Sequence, residues 1–172
     1  EKYGHISHWD VSKITDMSRL FYEYSGFNED ISRWDVSNVT NMNRMFKRAT
    51  SFNQSLNDWD VSSVKDMNRM FSSAYSFDKH INDWDVSNVK NMNCMFFMTS
   101  KFNQPLDKWK LTNIENMKYM FSEAFSFNQP LNNWDVSNIK NMEGMFYEAE
   151  SFNQPLDKWK LTNIENKDGM FY

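Results

Sequence analysis

With 172 residues, 40% of them hydrophobic and 24% charged, the chain is long enough to bury an ordinary core. Its negative mean hydropathy, and the absence of any run near the ~18 consecutive apolar residues of a spanning helix, lead to the expectation of no membrane insertion within this segment. A net charge of −4, mild and mixed in sign, excludes the basic stripe that nucleic acid requires.

Cys94 is the single cysteine, so no intrachain disulfide forms. The sequence carries neither a charged-then-apolar leader nor a lipidation motif, and it begins and ends inside its own repeat pattern. It is therefore expected to be a piece of a longer protein.

Trp stands at 9, 34, 59, 84, 109, 134 and 159, a fixed step of 25 residues with no insertion or deletion. Self-similarity at such a period signals stacked repeats in which each unit touches only its neighbours. Residues 1–172 are read as one domain of seven units anchored at these tryptophans, the last truncated. In the second unit the recurrent apolar places are Val36, Val39, Met42, Met45, Phe46, Ala49, Phe52 and Leu56. Those between Val39 and Ala49 have the three-and-four spacing of one helical face, which predicts a short helix. Ile31, Trp34 and Val36 predict a brief strand before it. The fold expected is an α/β solenoid, a leucine-rich-repeat-like stack of seven 25-residue strand-helix-loop units.

Two sets compete to cap the helix. One is the Ser or Thr three residues after each Trp (Ser37, Ser87, Thr112), the other the Asp or Asn seven after it (Asn41, Asp66, Asn91). A return loop reads Phe-Asn-Gln-Pro at 102–105, 127–130 and 152–155, where Asn favours a side-chain-to-backbone turn and Pro restricts the preceding Gln. Strands about 4.8 Å apart and helices about 8–10 Å apart would bend the stack with strands on the concave side. The opposing reading is a straighter stack with tilted or irregular helices. The first unit substitutes Tyr24 for the usual Ala, and the last has Lys167 where the others have Met.

The string Trp-Asp-Val-Ser-Asn-Val, then Asn-Met-x-x-Met-Phe, then Ser-Phe-Asn-Gln, resembles the 25- to 26-residue repeat of bacterial surface proteins and mycoplasma lipoproteins, often grouped with BspA-like leucine-rich repeats. The resemblance covers essentially the whole chain. It implies a cell-surface or secreted repeat protein, in some relatives concerned with adhesion, with no catalytic residue and no cofactor. The partner it implies is a protein, either of a host or another cell-surface macromolecule.

The residues by themselves offer no catalytic set. His5, His8 and His80 are read as surface residues, Cys94 as a partly exposed thiol without a base, and most Met and Phe as core. Neither a cofactor nor a metal is assigned. A column of aspartates follows the tryptophans (Asp10, Asp35, Asp60, Asp85), joined by Asp58 and Asp83, with Lys108 and Lys110 beyond. Two readings stay open for it: a charged binding face with a weak cation site, or turn acceptors bonded to amides of the next unit. Phe97 and Met98 replace residues that are polar elsewhere, such as Lys47 and Arg48, so they are read either as an exposed patch for contact or self-association or as side chains folded beside Phe102. The function expected is a non-catalytic surface module for adhesion or binding; the alternative is an architectural spacer holding another domain away from the cell.

Overall fold

Two left-handed residues per repeat set the path of the chain. The computed structural model describes residues 4–171. In it Arg44 has φ 56° and Arg48 φ 61°. Positive φ recurs at the places ten residues after every tryptophan and fourteen after each of the first six. Most of these residues are not glycine, and each places its Cβ near the following carbonyl at a cost of about 1–2 kcal/mol. A right-handed helix does not continue through such a residue.

The hydrogen bonds show what forms instead. In the second rung the amides of Met42, Arg44, Phe46 and Arg48 donate to the carbonyls of Asp66, Asn68, Met70 and Ser72 on the third. The intervening amides of Met45, Lys47 and Ala49 donate three residues back, to Met42, Arg44 and Phe46. Alternate amides thus serve the neighbouring rung and a local turn, so neither the i→i−4 helix ladder nor an extended strand ladder develops. Among the described residues, regular structure is confined to 3₁₀ turns at Ile6–His8 and Leu161–Asn163 and a file of single parallel bridges through Asp16, Asn41, Asp66, Asn91, Asn116, Asn141 and Asn166.

The expected α/β solenoid of leucine-rich-repeat-like strand-helix-loop units is thereby overturned. Where the spacing predicts a helix there is a succession of turns, and where it predicts a strand the chain around each Trp makes none. Curvature argued from strands on the concave side loses its premise. The physical reason is that three-and-four apolar spacing does not belong to helices alone; short turns redirected by left-handed residues bring the same places inward. Neither proposed cap set caps a helix. Asn41 instead accepts the amide of Asn43 at 3.0 Å, and Asp66 that of Asn68 at 2.8 Å, each a turn closed by a side chain.

The core is the recurrent apolar set. Val36, Val39, Met42, Met45, Phe46, Ala49, Phe52 and Leu56 are all buried, and so are their counterparts through the central rungs. Within a rung the two phenylalanines stack, Phe71 on Phe77 at 4.0 Å and 8°. Between rungs Phe71 meets Phe46 at 5.5 Å and Phe96 at 5.9 Å, nearly parallel, in the offset geometry aromatic rings favour. Each indole N–H from Trp34 onward bonds back one rung: Trp84 donates to the Leu56 carbonyl at 2.9 Å and Trp109 to Ile81 at 3.0 Å.

The repeated polar residues are equally committed. Asn28, Asn53, Asp78, Asn103 and Asn128 each accept, through the side chain, the amide of the equivalent residue on the next rung at 2.9–3.0 Å. Asn38, Asn88, Asn113, Asn138 and Asn163 donate to the preceding rung's Ser or Thr carbonyl. The Phe-Asn-Gln-Pro loop is ordered by this ladder, because Gln129 and Gln154 also reach back one rung to Asn103 and Asn128.

Candidate functional site

The aspartates after the tryptophans are turn acceptors within their own unit. Asp10, Asp35, Asp60, Asp85 and Asp135 take the amide two residues on, from Ser12, Ser37, Ser62, Ser87 and Ser137, at 3.0–3.1 Å. The bond expected from the next unit is not the one formed. A two-residue turn brings the amide to the carboxylate before the neighbouring rung is reached. Asp58, Asp60, Asp83 and Asp85 are exposed, and no group of three or more His, Cys, Asp or Glu suited to a metal ion occurs among the described residues. Asp83 is paired instead with Lys108 at 2.6 Å, with His80 at 3.6 Å. Asp83, Asp85, Lys108 and Lys110 line a shallow recess of about 300 Å³ in which opposite charges face each other.

These bonds act on the carboxyls. The hydroxyl and amide of Ser87 hold the Asp85 carboxyl below the ordinary 3.8, and Ser37 and Ser137 do the same for Asp35 and Asp135. At Asp35 repulsion from Asp10 on the adjacent rung acts the other way and is outweighed. Lys108 lowers Asp83 and is itself raised. Depressed folded values mean that their stabilisation is complete above the ordinary carboxyl range and lost as pH falls through the folded values. Melting temperature is therefore expected to hold from neutral pH to about 4 and to drop below it. Asp35→Asn, which keeps the turn acceptor, should flatten that drop; an unchanged acid slope would remove the aspartate turns from the account.

A separate face, built by the turns at the left-handed residues, carries several residues that depart from the repeat. A groove of about 460 Å³ is lined by Lys47, Arg48 and Arg69 on one side, Cys94, Phe97 and Met98 centrally, and Tyr119, Glu123 and Tyr147 beyond. All stand ten, thirteen or fourteen residues after their Trp, at or beside the left-handed residues. A left-handed residue turns its side chain out of the core, and successive rungs align those side chains. Phe97 and Met98 are half-buried in this groove, and Ser73 Oγ donates weakly to Met98 Sδ at 4.0 Å. Cys94, whose thiol is expected to be partly exposed, is buried, with 8% of the residue exposed. Tyr75 and Phe125 are exposed but do not line the groove, while His5, His8 and His80 are exposed as expected.

The groove's far wall is shaped by Tyr119. Its hydroxyl donates to Glu143 at 2.8 Å, Lys118 pairs with Glu143 at 2.8 Å, and its ring lies over Gly144, where a Cβ would stand 2.0 Å from the ring. Sequence reasoning picks out Phe97 and Met98 because they break the repeat, but it does not assemble Lys47, Arg48, Arg69, Tyr119, Glu123 and Tyr147 around them. Departure from the repeat at the same three offsets is the signal that would have gathered them.

Among the described residues no helix is long and apolar enough to cross a membrane. The family model described as "Mycoplasma protein of unknown function, DUF285" matches residues 1–97 and again 78–172. No curated protein matches, and no solved structure matches. The link to BspA-like leucine-rich repeats has no support in these comparisons, and the absence of strand-helix units removes its structural basis.

Proposed function

We propose, from the premise that the chain belongs to this Mycoplasma family of unknown function, that it is a non-catalytic module displaying a fixed surface for binding a protein at the cell surface or after secretion. The observation that carries the reading is the division of labour among polar residues. The repeating polar residues are taken up in rung-to-rung bonds or in turns of their own unit, whereas several that vary line one groove with half-buried Phe97 and Met98. Apolar side chains clustered at the surface mark contact sites.

Binding of the intact chain to immobilised host extracellular proteins tests this against Phe97→Ser with Met98→Ser. Saturable binding is expected, lost in the double variant while tryptophan fluorescence is unchanged. The architectural spacer is favoured by the continuous ladder of bonds along the stack. Absence of saturable binding, together with cellular tolerance of the double substitution, would establish the spacer and sink the binding reading. Protease treatment of intact cells tests surface display: protection of the chain in unbroken cells, with none released, would reject it.

A further inference from the structure

The groove is not uniform along its length. Its cationic end, formed by Lys47, Arg48 and Arg69, lies on the second and third rungs; Phe97 and Met98 stand on the fourth; Tyr119, Glu123 and Tyr147 follow on the fifth and sixth. Arg48 is held by Glu23 at 2.8 Å, but among the described residues no ion pair involves Arg44, Lys47 or Arg69. Arg44, on the same rung as Lys47, adds its charge from beneath the groove without lining it, its Nε buried. Lys47 lies 5.7 Å over the Tyr22 ring, a contact that shields one side of its charge without neutralising it. Burial, followed by repulsion from Arg69, Arg44 and Arg48, lowers the Lys47 ammonium below its ordinary value and outweighs the attraction of Glu23. Glu23, already paired with Arg48, offsets these cations only in part, which leaves this end of the groove short of negative charge.

Length identifies the kind of anion. Successive rungs place their phenylalanine rings 5.5–5.9 Å apart, so the five rungs of the groove cover about 20 Å, the reach of about six residues of extended chain. A small anion fills one end only. An acidic peptide matches the cations, the apolar centre and the length together.

We propose that the groove binds an extended acidic segment of a partner protein, its carboxylates against Lys47 and Arg69 and one apolar or aromatic side chain over Phe97 and Met98. This rests on the binding function proposed above and names the chemistry of its partner. Glu123 at the other end disfavours a continuous polyanion and fixes the direction in which the segment lies.

The test is fluorescence anisotropy of a labelled synthetic peptide with glutamates on one side of a central phenylalanine and neutral residues on the other, titrated with the intact chain. Saturable binding is expected, weakening as salt rises. It should fall by about tenfold or more in Lys47→Glu with Arg69→Glu, and likewise in Phe97→Ser. Lys47→Gln with Arg69→Gln gives a milder loss and guards against a folding defect, which tryptophan fluorescence would reveal. A peptide with lysine for glutamate should not bind. The proposal is overturned by absence of saturable binding at millimolar protein, by indifference to both charge variants, or by a sulfated glycan binding the same end without need of Phe97. If host-protein binding still depends on Phe97 and Met98 while the acidic peptide fails, the peptide chemistry falls and the broader reading stands. If both assays are negative, both fall.

Discussion

Trp84→Ala is expected to destabilise the chain by about 3–5 kcal/mol, the cost of emptying a large buried aromatic site. Trp84 is 3% exposed, packs 6.3 Å from Phe71, and donates its indole N–H to the Leu56 carbonyl one rung back at 2.9 Å. The same carbonyl accepts the Trp59 amide, so it keeps one partner after the substitution. The greater part of the loss is therefore packing. Trp84→Phe separates the two contributions: it retains a ring and removes the donor, and should cost less than Ala. Urea unfolding followed by fluorescence of the remaining tryptophans and by circular dichroism measures both. Because each rung touches only its neighbours, a deep defect in the fourth is also expected to split the transition, so that the two probes no longer coincide. A loss under about 1 kcal/mol would be the size of a surface change and would contradict the burial of the Trp column.

Gly144→Ala is the second large effect, and its origin is different. Gly144 has φ 58°, and an added Cβ would stand 2.0 Å and 2.2 Å from Cε1 and Cδ1 of Tyr119. The left-handed backbone contributes about 1–2 kcal/mol of penalty for any residue with a Cβ. The collision adds a second term, since Tyr119 must swing off the sixth rung and give up its bond to Glu143. In a Tyr119→Ala background Gly144→Ala should add only the backbone penalty, so a double-mutant cycle is expected to show coupling of about 0.5–3 kcal/mol. Simple additivity would mean that the ring does not lie over this glycine. The ring also forms one wall of the groove, so the single Gly144→Ala change should weaken partner binding even though residue 144 does not line it.

The two substitutions lie on opposite sides of what can be read from residues alone. Trp84, with Val86, Val89, Met92, Met95 and Phe96, is legible as core, because burial of apolar side chains leaves a fixed period whatever backbone carries it. Gly144 is not legible in the same way. The equivalent place holds Arg44, Arg69, Cys94 and Tyr119 in other units, none of them a residue that prefers positive φ, so only Gly144 and Gly169 hint at the left-handed backbone there. That missing signal is why turns are misread as helix. It also explains the groove: Phe97 and Met98 stand out as departures from the repeat, but their meeting with Lys47, Arg69 and Tyr119 depends on a rung path that the helix reading gives wrongly.

What the sequence determined by itself was the stack: seven units in one register and the identity of the buried column. Periodic burial requires only that equivalent residues superimpose, and an unbroken 25-residue step guarantees that. Tertiary structure alone decided the secondary structure and the candidate site. Each forward-pointing amide finds its acceptor on the next rung, as Arg44 does at Asn68, and this bond holds a left-handed residue that its own local preference would not choose. Because the partner lies on the next rung, no window of one unit contains the information, and the face those residues build becomes visible only once the rungs are stacked.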